Sequence, residues 1–319
     1  MSSSYSEESH EFHRRLLKST RDSGTGLRKA LKVRDNVYFV TTNHKKYVVK
    51  GFSSRKKYDA QRKLTKLLKR HGFNRTYDFI DQFAPFSYDG EIYAWIEYIK
   101  PQKDKFTFES LTCRKEGLKI LKDFHNATSN FYDEISIKHF DQLEKWKERL
   151  KDFKRNKHII NKYVSSDYLQ SWINWGEFSL KGLEKYEKLL YKEKNCIVHG
   201  DVAHHNFFYR NDGVLYLIDF DLISKAPPLL DYLQYCNRIM PDIRDSNELW
   251  SYKQLQKYKE NTAFLYALTF PTDIFREWNR IVREDLFFDQ GYLHSVWKLT
   301  VEEAKQRMKI YKDIVKLIK

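Results

Sequence analysis

Asp201, Asn206 and Asp219 are the residues of this chain whose types and spacing best suit chemistry. Asp201 and Asn206 stand five positions apart in His199-Gly200-Asp201-Val202-Ala203-His204-His205-Asn206. Asp219, in Ile218-Asp219-Phe220-Asp221, follows thirteen positions after the Asn. Between them lies a hairpin signal: Phe207-Phe208-Tyr209, the turn-forming Asn211-Asp212-Gly213, and Val214-Leu215-Tyr216-Leu217-Ile218. Such a hairpin returns Asp219 toward Asn206. Two oxygen ligands beside a third carboxylate suit magnesium, a hard cation that shares itself between carboxylates and phosphates. In that chemistry Asp201 is the candidate base for an acceptor hydroxyl, Asp219 the principal Mg²⁺ ligand and Asn206 the second. A neutral amide adds no like-charge repulsion to the carboxylate. Asp221 either joins the metal site or caps the next turn, and the spacing leaves both open.

The pattern H-G-D-x-x-x-x-N followed by I-D-F-D resembles the aminoglycoside phosphotransferase and choline kinase family. It departs from the protein-kinase form of the motif, which has Arg where Gly200 stands and Gly where Asp221 stands. The resemblance implies an α+β, two-lobed protein-kinase-like fold, with a small antiparallel-sheet N-lobe and a larger helical C-lobe. It also implies an ATP- and Mg²⁺-dependent phosphotransferase acting on a hydroxyl of a small molecule. Lys50, in Tyr47-Val48-Val49-Lys50, matches the family's strand lysine that pairs with nucleotide phosphates. Glu97 to Ile99 match the hinge, whose backbone would bond an adenine edge. Asp231, after Pro227-Pro228-Leu229-Leu230, matches an acidic residue that orients the catalytic loop, and His125 matches a structural histidine. Two positions depart from the pattern. Gln61 stands where a Glu would pair with the lysine, with Asp59 pointing to a different side of the helix. The turn around Arg34-Asp35-Asn36 has no glycine with which to approach a phosphate closely.

Within the family, Asp231-Tyr232-Leu233-Gln234-Tyr235 and Phe264-Leu265-Tyr266-Ala267-Leu268-Thr269-Phe270-Pro271 are similar to the spore-coat branch (CotS/YutH type). That branch implies a second function, a catalytically weak or inactive kinase-like structural protein with other spore-coat proteins as partners. A third chemistry, an H-x-D iron site built on His199 and Asp201, leaves Asn206 and Ile218-Asp219-Phe220-Asp221 unexplained.

The elements that must position these groups follow from hydrophobic period and turn residues. Residues 1–26 are Ser- and charge-rich and are expected to be a mobile arm. Residues 27–99 form the expected N-lobe. There, Val37 to Val40 and Tyr47 to Phe52 make a hairpin, residues 55–70 a helix ending near Gly72, and Ile92 to Ile99 a strand. Residues 100–319 form the expected C-lobe. Helices are predicted over Leu111 to His125, residues 139–156 and residues 180–192, with a final stripe of Val301, Ala304, Met308, Tyr311, Val315 and Ile318. The acceptor region is expected at about residues 130–190, which hold Trp146, Trp172 and Trp175.

At 319 residues the chain has room for two lobes. Its net charge of +15 is spread through helical segments and interleaved with acids, which argues for a solvated surface rather than a nucleic-acid stripe. It also disfavours a cationic acceptor. No run of about 18 apolar residues predicts a membrane span. The polar stretch Met1 to Lys18 lacks a signal peptide's apolar core. The three cysteines, Cys113, Cys196 and Cys236, lack metal-type spacing and suit a reducing cytoplasm.

Overall fold

The computed structural model describes residues 2–318, with side chains from residue 10 onward. The elements in chain order are α1 (Ser2–Asp22), β1 (Leu27–Arg34), β2 (Val37–Thr42), β3 (Lys46–Phe52), α2 (Arg55–Arg70), β4 (Phe86–Tyr88) and β5 (Glu91–Glu97). There follow α3 (Leu111–Thr128), α4 (Gln142–Ile160), α5 (Ser166–Tyr186), β6 (Cys196–Val198), β7 (Phe207–Tyr209), β8 (Leu215–Leu217) and β9 (Ser224–Ala226). The chain closes with α6 (Leu229–Ile239), α7 (Asn247–Ser251), α8 (Thr262–Leu268), α9 (Thr272–Glu284), α10 (Gln290–Val301) and α11 (Ala304–Val315). No helix among the described residues is long and apolar enough to cross a membrane.

The chain divides into two compact units. The first comprises residues 1–105, 133–137 and 207–221. The hairpin β7–β8 thus belongs with the N-terminal sheet rather than with the helical remainder assigned from the sequence. Strand alternation organises this unit. The antiparallel sheet runs in the order β1-β2-β3-β5-β4. On one face Val40, Tyr47, Val49, Tyr93 and Trp95 form a core with Phe12 and Leu16 of α1. One residue out of phase, Val37, Phe39, Val48, Lys50 and Ile96 line a cavity on the other face.

Residues 2–22, expected as a mobile arm, are therefore helical, and α1 covers the back of the sheet. Its composition is polar because one narrow stripe meets the sheet. Phe12 stacks on Tyr38 at 4.2 Å between ring centroids and meets Tyr93 edge-on at 5.0 Å. Ser19 Oγ accepts from Trp95 Nε1 at 3.0 Å. Replacing Phe12 by Ala is expected to cost about 3–5 kcal/mol, the usual range for deleting a buried ring. Urea unfolding measures it, and a loss under about 1 kcal/mol would mean that α1 does not dock.

The second unit is helical, with the short pair β6–β9. Trp146 of α4 stacks on Phe270 at 4.4 Å, and Trp172 and Trp278 are fully buried. The expected C-terminal stripe is rotated. The helix breaks after Val301, and the buried face of α11 is Ala304, Arg307, Ile310, Tyr311 and Ile314. Arg307 holds a core position because its guanidinium pairs with Asp273 at 2.9 Å. The helix expected at 180–192 is the end of α5, which starts at Ser166 and stops at Tyr186.

Candidate active site

In the first unit, Lys50 sits on β3 between Val37 of β2 and Ala94 of β5, and only 7% of it is exposed. A buried ammonium needs anionic partners. Lys50 Nζ donates to Asp219 Oδ1 and Asp221 Oδ1, each at 2.8 Å. Arg34, at the end of β1, donates to the other Asp219 oxygen at 3.0 Å. Burial alone would raise the Asp219 carboxyl, but Lys50 and Arg34 outweigh it and hold the group well below the usual carboxylate range. The hairpin delivers Asp219 to this place. β7 and β8 pair with Phe207 opposite Leu217, and Gly213 supplies the positive φ of the turn. Asp219 itself takes a left-handed backbone, φ +69°.

Gln61 of α2 does not bond Lys50. Its amide nitrogen donates to Asp221 Oδ1 at 2.8 Å, the oxygen that Lys50 also uses, while Tyr77 donates to its Oε1 at 3.3 Å. Burial pushes the Tyr77 hydroxyl well up, so it remains a neutral donor. The helix thus steers the lysine through Asp221, a task for which an amide suffices.

Two cavities of the first unit have Arg34, Val37, Lys50 and Asp219 in common. One, of about 300 Å³, is walled by Val33, Phe39, Val48, Ile96, Phe208 and Ile218, with Glu97, Tyr98 and Ile99 along one side. The Glu97 N–H is bonded to the Asp78 carbonyl at 2.8 Å. The other cavity, of about 400 Å³, is polar and lined by Asn36, Lys57, Glu91 and Asp221 among others. The turn between β1 and β2 lacks glycine, but Asn36 supplies its left-handed residue, φ +60°.

In the second unit, the segment after β6 is anchored at Asp231 of α6, which is fully buried. Its carboxylate accepts the backbone N–H groups of His199 at 2.7 Å and Gly200 at 2.9 Å, and bonds His125 Nε2 at 2.8 Å. Burial opposes that charge, and the bond from His125 leads the interactions that keep the carboxyl below its ordinary value. Gly200 has φ +78°, and a Cβ there would lie 2.3 Å from the Leu222 carbonyl oxygen, so only glycine fits. Asp201 follows, half-buried, with its N–H donating to His199 Nδ1 at 3.3 Å. Asn206 closes a 3-10 turn, and its Nδ2 donates to the Asp201 carbonyl at 2.9 Å and to Oδ2 at 3.3 Å. Asp201 also faces Arg238 at 3.7 Å.

The structure therefore brings Lys50 together with Asp219, sets Glu97 and Ile99 on the same cavity, and joins Asp201 to Asn206. Sequence reasoning passed over Arg34, Tyr77 and the bridging use of Asp221. It had no signal for Arg34, which lies 185 positions from its partner. Among the described residues no three His, Cys, Asp or Glu side chains gather as a metal cage. A magnesium ion that shares itself with nucleotide phosphates needs only one or two carboxylates. The hard oxygens of Asp219 and Asp221, at the polar cavity, have the donor chemistry for it.

The phosphotransferase enzyme family model matches residues 27–267. No curated protein matches the chain in sequence. Several solved structures share its fold. The aminoglycoside phosphotransferase of Alicyclobacillus acidocaldarius is 16% identical, with a TM-score of 0.70 over 92% of this chain and 93% of that one. The macrolide 2'-phosphotransferase MphH of Brachybacterium faecium is 10% identical, with a TM-score of 0.55 over 90% and 98%. Spectinomycin phosphotransferase APH(9)-Ia, solved with ADP and spectinomycin, is 14% identical, with a TM-score of 0.53 over 96% and 97%. The fold is kinase-like, an antiparallel five-stranded sheet unit and a helical unit.

Proposed function

We infer that this chain, which belongs to the phosphotransferase enzyme family, holds a magnesium nucleotide in its first unit and activates a small-molecule hydroxyl in its second. Its activity class is phosphoryl transfer to hydroxyl groups. The observation that carries the nucleotide assignment is the buried Lys50–Asp219 pair, set where an apolar cavity meets a polar one. The apolar side suits a base, with Glu97 and Ile99 offering backbone groups to its edge. The polar side suits phosphates, with Lys50 as their cation. Asp219 is the proposed principal magnesium ligand. Asn206, expected as the second ligand, spends its amide nitrogen on Asp201 and keeps its Oδ1 for a metal. Bound magnesium would neutralise phosphate charge. Asp201 would accept the proton of the acceptor hydroxyl, held in place by the Asp231 anchor.

One observation favours the catalytic half of a second reading, a catalytically weak or inactive kinase-like protein whose spore-coat role rests on sequence likeness alone. Both Asp219 oxygens already have cationic partners, Lys50 and Arg34, so the carboxylate is neutralised by the protein's own side chains. The two readings separate on metal dependence. On the first, ATP with Mg²⁺ stabilises the purified chain by about 2.7 kcal/mol at 100 times its Kd, and ATP with a chelator does so far less. Thermal unfolding reads this directly. No shift at millimolar Mg-ATP would favour the structural reading.

A further inference from the structure

We propose that the acceptor is an anion: the pocket beside Asp201 takes the carboxylate or phosphate group of a hydroxylated small molecule. The inference rests on the phosphotransferase reading and names the substrate class for it.

The pocket lies wholly within the second unit and encloses about 130 Å³. Asp201 forms part of its wall. Around it stand Lys145 and Arg149 of α4, Arg238 of α6 and Arg276 of α9. All four cationic side chains are half-buried. The acids nearby do not balance them. Asp273, also in the wall, gives both oxygens to Arg307, at 3.1 and 2.9 Å. Glu277 pairs with Arg276 and also accepts from Tyr292. Asp201 meets Arg238 only at 3.7 Å.

The surplus cations strain one another. Burial, with Arg149 and Arg276 behind it, brings the Lys145 ammonium down to about 8. Burial and Arg276 bring the Arg149 guanidinium down to about 10. Like charges crowded beside a cavity are what an incoming anion relieves.

A second feature points to a ligand. Asn237 of α6 lines the same pocket with 5% of its surface exposed. Neither its Nδ2 nor its Oδ1 has a hydrogen-bond partner among the described residues. A buried amide left unmatched costs stability, and native proteins seldom carry one without a use. Its Nδ2 can donate to an anionic oxygen and its Oδ1 can accept from a hydroxyl. A cationic acceptor would meet four like charges here, so aminoglycosides and choline are disfavoured by the pocket itself.

The test uses the full chain and sulfate as a probe of constant charge, at fixed ionic strength, with calorimetric and thermal-shift readouts. Sulfate is expected to bind the unmodified protein, and Arg276→Gln and Lys145→Gln each to weaken it about tenfold or more. Lys162→Gln, an exposed lysine of the same unit outside the pocket wall, is expected to leave sulfate binding in place. Affinity should fall as the pH rises through about 8, where Lys145, flanked by Arg149, Arg276 and Asp201, loses its proton. Glycerate and glycerol 3-phosphate separate a carboxylate from a phosphate preference. Sulfate binding that is absent, or indifferent to both neutralising variants, overturns the proposal. So does kanamycin or choline binding that is lost in Asp201→Asn. Mg-ATP stabilisation is measured in parallel and reports on the phosphotransferase reading, so either can fail alone.

Discussion

Asp201→Asn is expected to lower turnover about 10²–10⁴-fold while leaving Mg-ATP stabilisation intact, the range by which a positioned general base speeds a reaction. The substitution keeps the side-chain shape and removes the proton acceptor. The local backbone should survive it. The loop is held by Asp231 through the N–H groups of His199 and Gly200, and by Asn206 through the Asp201 carbonyl, none of which uses the Asp201 side chain. The substitution removes the charge from a 3.7 Å contact with Arg238 and weakens a 3.3 Å bond from Asn206, which an amide oxygen can still accept. Both are partly solvated, so little stability depends on them. Single-turnover rates with saturating nucleotide isolate the chemical step from binding and release. A loss of only about threefold would remove Asp201 from the base role. Parallel loss of Mg-ATP stabilisation would instead mean that the variant had disturbed more than the proton transfer.

How much of this was legible follows from the distance over which each feature is encoded. The loop from His199 to Asn206 and the hairpin after it are local. Gly200, Asn206 and Gly213 announce their roles by backbone need or by spacing, and the structure has the hairpin that the Asn-Asp-Gly turn predicts. Lys50 was legible because a strand alternates, so a lysine in phase with Val48 must be either paired or exposed. The Arg34–Asp219 pair was not, since nothing in β1 marks which distant acid an arginine will meet. Gln61 was placed correctly on its helix. Its partner was not, because nothing in α2 marks whether that amide will meet Lys50 or an acid 160 positions further on. Helix α1 was hidden by composition. A single stripe led by Phe12 and Leu16 docks it, while its other residues read as a solvated arm. The basic pocket was invisible for a related reason. Its cations come from three helices far apart in the chain and are gathered only by packing, whereas from sequence each looks like one more charge on a wet surface.

Asp219→Ala is expected to abolish the Mg²⁺-dependent part of ATP stabilisation and to reduce turnover at least as severely as loss of the base. Asp219 is the proposed principal metal ligand, and Lys50 and Arg34 are both oriented by it. Without it, Lys50 keeps Asp221, which still accepts from Nζ and from Gln61. The destabilisation of the free protein should therefore stay below the roughly 3–5 kcal/mol of an orphaned buried charge. The same carboxylate sets a pH dependence. Burial would raise its pKa, Lys50 and Arg34 depress it further than burial raises it, and the folded value lies below the ordinary 3.8. A group depressed in the folded state binds its proton more readily when unfolded. Its contribution is therefore fully present above about pH 4 and is lost as the pH falls through the folded value. Asp219→Ala removes that contribution at neutral pH, so its stability should decline less steeply than that of the unmodified chain on acidification. Denaturant unfolding at neutral and acid pH, with and without Mg-ATP, tests both halves. If the alanine variant kept the full magnesium-dependent gain, Asp219 would not be the metal ligand, and the buried pair with Lys50 would be a structural ion pair alone.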